Sequence, residues 1–212
     1  INAVNIIDVM DGLAGGVSLV ACVWLFVVAV INHDMMIAVM LAALAGSLIG
    51  FLRFNFHPAR IYLGDSGSLF TGLMLGALAM IGKYTAVNPV SLLAPVFVLG
   101  VPIFDTLFVM YIRRLRGLPV FLGSPDHFAL RLRRWALSVP QVAVLSYGVA
   151  FVLGGIGVAI MFVRTEIALG LVAGTILLGI VAALWLQRID MSKPADTTHL
   201  PESSPATASK AP

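Results

Sequence analysis

Along this chain the apolar residues fall in long unbroken runs separated by short polar stretches, without the two-residue alternation of half-buried strands. A helix needs about 20 apolar residues to cross a hydrocarbon core of roughly 30 Å. Six runs approach or exceed that length: Leu13 to Ile31, Met36 to Leu52, Ser68 to Ile81, Leu92 to Ile112, Val142 to Val163 and Ile167 to Gln187. The third is short, and its helix is expected to begin inside the preceding loop. The connections Asn32 to Met35 and Arg164 to Glu166 are brief, which makes antiparallel hairpins of their flanking helices. The predicted fold is therefore all-α, a polytopic membrane helical bundle of about six spans, occupying residues 1–189. Residues 190–212, rich in Pro, Ser, Thr and Ala, read as a disordered tail.

Composition agrees with the pattern. Hydrophobic residues make up 60% of the chain and charged residues 11%, outside the range of an ordinary soluble domain. Of the 13 Lys and Arg residues, only Lys83 and Arg164 fall on one side of the predicted bundle. The positive-inside rule then places the opposite loops, the N-terminal segment and the tail in the cytoplasm, with the chain in the inner (plasma) membrane. The lone cysteine, Cys22, lies in an apolar run and excludes an internal disulfide. Nothing in the charge pattern asks for a nucleic acid.

Three polar constellations sit on the basic side. Asn2, Asn5, Asp8 and Asp11 recur every third residue, so on one helix they would form a drifting polar stripe able to turn several oxygens toward one ligand. Asp11 and Gly12 could equally cap the first span. The stretch from Phe54 to Ser68 carries Arg60 and sets Asp65 between Gly64 and Ser66, where a hard cation can approach a carboxylate closely. A simple helix cap accounts for the same residues. The loop from Arg113 to Arg134 has a helix start at Ser124-Pro125, after which His127 and Arg131 would share a face and could grip a diphosphate. A basic interfacial helix is the alternative there. Asp105 stands apart, about two turns inside the fourth span, where an ionisable group is costly and calls for a function or a partner.

In their order these motifs resemble the polyprenyl-phosphate N-acetylhexosamine-1-phosphate transferases. Asn2-Ala-Val-Asn-Ile-Ile-Asp-Val-Met-Asp-Gly-Leu-Ala14 is similar to that family's Asn- and Asp-rich segment, and His57-Pro-Ala59 with Gly64-Asp-Ser-Gly-Ser68 to its metal-site loop. Pro102-Ile-Phe-Asp105 with the following basic loop is similar to its last cytoplasmic stretch. The resemblance implies transfer of a sugar-1-phosphate, GlcNAc-1-phosphate first, from a UDP-sugar to polyprenyl (undecaprenyl) phosphate. UMP is released, and lipid-linked glycan or envelope polysaccharide synthesis begins.

It implies Asp8, Asp11, Asp65 and His127 as catalytic, Asp65 with Asn5 at a Mg²⁺ (or Mn²⁺), and Asn2, Asn5, Arg60 and Arg131 in substrate binding. A homodimer is left open. The family's paired-aspartate motif is expected upstream of Asn2, so the chain reads as the C-terminal part of a longer enzyme, inactive by itself. Val9-Met10 departs from the usual Gly-aliphatic pair. The histidine cluster is reduced to Asp126-His-Phe-Ala-Leu-Arg131, which argues against the phospho-N-acetylmuramoyl-pentapeptide branch. A transporter or lipid-binding scaffold, with its acidic residues along an ion path, is the competing class.

Overall fold

A computed structural model describes residues 1–84, 87–119, 126–189 and 191. Among these residues all regular structure is helical: α1 (Asn2–Ile6), α2 (Leu13–Ile31), α3 (Met35–Asn55), α4 (Gly64–Ile81), a 3₁₀ turn (Pro89–Leu93), α5 (Ala94–Val98), α6 (Gly100–Leu115), α7 (Phe128–Arg134), α8 (Val139–Ile160) and α9 (Thr165–Leu186). Five helices are long and apolar enough to cross a membrane, and a bent pair makes a possible sixth span. The all-helical membrane architecture expected from the hydropathy pattern is therefore present.

One predicted span is corrected. The fourth run, Leu92 to Ile112, is not one straight helix: Pro89–Val98 and Gly100–Leu115 meet at 78°. Pro102 has no N–H to return to the Val98 carbonyl, so the helical ladder cannot run through the Leu99 junction. The third span begins at Gly64, inside the preceding loop as expected, which brings Asp65 into the first turn of α4. The proposed helix start at Ser124-Pro125 and the tail 192–212 lie outside the described residues.

Packing follows from small residues opposite large ones. A methyl group on Gly16 of α2 would lie 2.1 Å from the Tyr147 ring of α8, and one on Gly154 of α8 would lie 2.1 Å from the Trp24 ring of α2. Each glycine thus receives an aromatic ring from the partner helix, which lets the two spans approach closely. The outward faces carry residues such as Val39, Met80, Leu177 and Leu178, all exposed, as suits helices solvated by lipid.

Connections gather at opposite ends of the bundle. At one end Asn32 donates to the Lys83 carbonyl at 2.7 Å, and Asn88 donates to the Ile160 and Val163 carbonyls at 2.8 and 2.9 Å. At the other end lie α1, the turn into α2, the loop between α3 and α4, and α7.

Candidate active site

The turn after α1 is built by its backbone. α1 stops at Ile6, and the Val9 N–H turns back to the Ile7 carbonyl at 2.8 Å. Gly12 then enters α2 at φ 75°, a left-handed conformation that disfavours any residue with a Cβ. Three groups hold it there. Its N–H donates to Asn55 Oδ1 at 3.0 Å, its carbonyl accepts from the Tyr147 hydroxyl at 2.6 Å, and Asn55 Nδ2 donates onward to the Ile61 carbonyl at 2.8 Å. The end of α3, the loop below it and α8 are thereby tied to one glycine. Consequently the four polar residues do not form a single helical stripe: Asn2 and Asn5 lie on α1, while Asp8 and Asp11 lie in the turn.

The turn brings its polar groups against the start of α4. Asn5 Nδ2 donates to Asp65 Oδ1 at 3.0 Å and to Ser68 Oγ at 2.9 Å, and the Ser68 hydroxyl in turn donates to the Gly64 carbonyl at 2.8 Å. The Asp8 carboxylate accepts the Gly64 N–H and lies within electrostatic reach of Asp65. Burial holds the Asp8 pKa above the ordinary aspartate range, against the lowering effect of the Gly64 N–H, and the neighbouring Asp65 charge raises it further. Two carboxylates thus lie close enough for the charge of one to act on the other near the opening of α4.

Asp11 is tuned in the other direction. Its Oδ2 accepts from His57 Nδ1 at 2.8 Å and from the Ala59 N–H at 3.1 Å. Burial alone would raise its pKa, but these two hydrogen bonds and the charges of His57 and Arg133 outweigh that and lower it. Asp11 therefore fastens the loop after α3 rather than capping α2, whose entry residue is Gly12 without a side-chain cap. Arg60 is exposed in the same loop, with its backbone N–H donating to the Phe54 carbonyl at 2.8 Å. Asn2 is exposed on α1.

The third constellation is turned inward. His127 stands in extended conformation just before α7, so it does not share a helical face with Arg131. Its Nδ1 lies 2.7 Å from Asp105 Oδ2, and the Phe128 N–H donates to Asp105 Oδ1 at 3.0 Å. Arg131 is 1% exposed. Its guanidinium donates to Asp126 Oδ1 at 2.8 Å and to the Leu186 and Ile189 carbonyls at 3.1 and 3.2 Å, with Phe108 beneath it. The expected joint grip of His127 and Arg131 on a diphosphate is corrected accordingly: Arg131 is a buried tie between α7 and the end of α9. Exposed Arg133, on the same helix, is the arginine whose charge reaches Asp11.

Among the described residues no three His, Cys, Asp or Glu side chains converge as a ready-made metal centre. The Asp8–Asp65 pair nonetheless has the donor chemistry that Mg²⁺ uses, one or two carboxylates completed by waters and substrate phosphates. Asn5 turns its amide nitrogen toward Asp65, so its carbonyl oxygen is the end suited to a cation.

Residues 1–83, which hold this whole cluster, match glycosyl transferase family 4. A protein of Bacillus subtilis (strain 168) named "probable undecaprenyl-phosphate N-acetylglucosaminyl 1-phosphate transferase" is 37% identical over 151 residues, 71% of this chain and 42% of the relative. A phospho-N-acetylmuramoyl-pentapeptide-transferase of Desulforudis audaxviator (strain MP104C) is 37% identical over 161 residues, 74% of this chain and 46% of the relative. The chain belongs to glycosyl transferase family 4. It spans less than half the length of these two relatives, at 42% and 46%. With its several apolar helices, this family 4 chain is a multi-pass membrane protein.

The sequence motifs include His57 and Ser68 without marking a part for either, and none marks a part for Asn55, Arg133 or Tyr147. Tyr147 meets Gly12 from 135 residues away, inside an apolar run, where no local pattern marks it.

Proposed function

We propose that this chain forms part of a membrane enzyme that transfers GlcNAc-1-phosphate from a UDP-sugar to polyprenyl phosphate and releases UMP. The observation that carries the reading is the hydrogen bond from Asn5 to Asp65 in the first turn of α4, with Asp8 near enough to feel the Asp65 charge. Residues 1–189 are the membrane domain. By the positive-inside rule the cluster faces the cytoplasm across the plasma membrane, where a UDP-sugar arrives from water and a lipid phosphate lies at headgroup depth.

In the reaction, an oxygen of the lipid phosphate attacks the sugar-linked phosphorus. A new P–O bond forms, the P–O bond to UMP breaks, and the electron pair leaves with UMP. Such transfer depends on positioning and on neutralising oxygen charge. Mg²⁺, or Mn²⁺ in its place, would supply that neutralisation when held by Asp65, Asp8 and the Asn5 carbonyl oxygen. The chain's own residues do the rest. The Gly64 N–H orients Asp8, Asn5 orients Asp65, and Asp11 with His57 and Ala59 fixes the loop that carries them. Exposed Arg60 and Arg133 provide positive charge for the diphosphate, and Asn2 lines the approach on α1.

The names of the relatives include both a GlcNAc-1-phosphate and a phospho-muramoyl-pentapeptide transferase. The replacement of a multiple-histidine loop by Asp126-His-Phe-Ala-Leu-Arg131 supports the former. The transporter reading is disfavoured because Asp105, the intramembrane acid, has both oxygens engaged by His127 and Phe128.

The test uses full-length enzyme in detergent with undecaprenyl phosphate and UDP-GlcNAc. Mg²⁺-dependent UMP release is expected in wild type and is expected to vanish in Asp65→Ala. Activity near wild type in that variant would remove Asp65 from the metal site, and turnover of UDP-muramoyl-pentapeptide alone would move the chain to the other branch.

A further inference from the structure

Asp105 is a carboxylate with 0% exposure on α6, the second arm of the bent apolar pair, a costly placement that the proposed phosphoryl transfer does not use. Its two oxygens have different tasks. Oδ1 accepts the Phe128 N–H at 3.0 Å, one of the unpaired donors at the start of α7. A neutral Asn or Ser would serve that task as well. Oδ2 lies 2.7 Å from His127 Nδ1, and this contact is where a charge matters. A carboxylate only accepts, so a neutral imidazole beside it carries its proton on Nδ1 and leaves Nε2 as an acceptor nitrogen.

The surroundings fix the ring in place. Asp126, next in the chain, accepts from Arg116 at 2.8 Å and from Arg131 at 2.8 Å, while Arg131 also ties α7 to the carbonyls ending α9. His127 therefore sits on a short segment anchored to α6 on one side and α9 on the other, and it keeps 7% of its surface exposed.

We propose that Asp105 is a positioning residue for the transfer reaction, holding His127 in the tautomer whose Nε2 accepts a proton or hydrogen bond from substrate. The proposal rests on the functional reading above. It goes beyond it in giving the intramembrane acid a task and in naming which histidine nitrogen meets the substrate.

Asp105→Asn in the full-length enzyme is the discriminating change. The amide oxygen can still accept the Phe128 N–H, but the amide nitrogen, a donor, would face Nδ1 and drive the proton to Nε2. The expected result is a fall in kcat of about tenfold or more, the usual scale for orienting partners, with KM for UDP-GlcNAc nearly unchanged. In a His127→Ala background the same change should cost nothing further, because the two residues act as a unit. An equal loss in both backgrounds, or wild-type kcat in Asp105→Asn, would overturn the proposal.

A second readout does not depend on turnover. In ¹⁵N-histidine-labelled wild-type protein, His127 should show a protonated Nδ1 and a bare Nε2. The reverse pattern there overturns the proposal even if Asp105→Asn fails to fold. Absence of UMP release by wild type would sink the functional reading alone, and the nitrogen spectrum would still decide the tautomer.

Discussion

Asn5 Nδ2 donates to Asp65 Oδ1 at 3.0 Å, joining residues 60 positions apart and fixing a short helix against the mouth of a membrane-spanning one. The same nitrogen reaches Ser68 Oγ at 2.9 Å, so one amide aims two groups of α4. In Asn5→Ala, Ser68 keeps its bond to the Gly64 carbonyl but Asp65 loses its donor. The contact is solvent-exposed, so the stability cost should be modest, about 1 kcal/mol. Activity should suffer more: a tenfold or larger drop in kcat is expected from a misaimed ligand, with more Mg²⁺ needed for half-maximal rate. Titrating Mg²⁺ against initial rate checks this. An unchanged Mg²⁺ requirement would remove Asn5 from the metal site.

Asp8 trades stability for function. Its pKa is raised by burial and by Asp65, so the fold favours its protonated form. The sign follows: as pH rises from about 4 through the raised folded-state value, the folded protein loses stability, and the loss is complete above that value. Asp8→Asn removes it while keeping an oxygen for the Gly64 N–H. At pH 7 the variant should melt higher than wild type, the gap narrowing as pH falls toward the ordinary aspartate range, and UMP release should drop sharply. Added Mg²⁺ should raise the wild-type melting point and leave the variant nearly unmoved. A lower melting point at pH 7 would contradict the burial of this charge.

These two residues also show what the sequence could and could not convey. Their membership in a site was legible, because Asn and Asp at a fixed spacing beside an apolar run are expensive to place idly. Their geometry was not. A three-residue spacing suggested one helical stripe, whereas Ile6 ends α1 and sends Asp8 and Asp11 into a turn set by Gly12. Span α2 was readable to its bounds, Leu13–Ile31, since hydropathy is a one-dimensional signal. The break at Leu99 was hidden within an apolar run, although Pro95 and Pro102 flank it. Partnerships such as Asp105 with His127, 22 residues apart, depend on how helices pack and have no local signature.

Gly16 should tolerate nothing larger. A methyl group there would sit 2.1 Å from Tyr147 Cε1, so Gly16→Ala must displace the ring and with it the hydroxyl that bonds the Gly12 carbonyl. Overpacking of this kind costs about 1–3 kcal/mol. Tyr147→Phe, which loses the hydrogen bond alone, should cost about 1 kcal/mol. Thermal melts of the two variants in detergent test the order, and a Gly16→Ala protein as stable as wild type would mean that α2 and α8 are not packed through this glycine.

Asn88 provides the contrast at the far end of the bundle. It is buried, donates to the Ile160 and Val163 carbonyls, and accepts the Ser91 N–H at 3.0 Å, so it joins the connection before α5 to the end of α8. Asn88→Ala leaves those backbone groups without their partner and should cost about 1–3 kcal/mol. Because the carboxylate cluster lies at the opposite end, kcat measured well below the melting temperature should stay at the wild-type value. A tenfold fall in kcat at full folding would show that the two ends are coupled, and would count against a site confined to the α1–α4 junction.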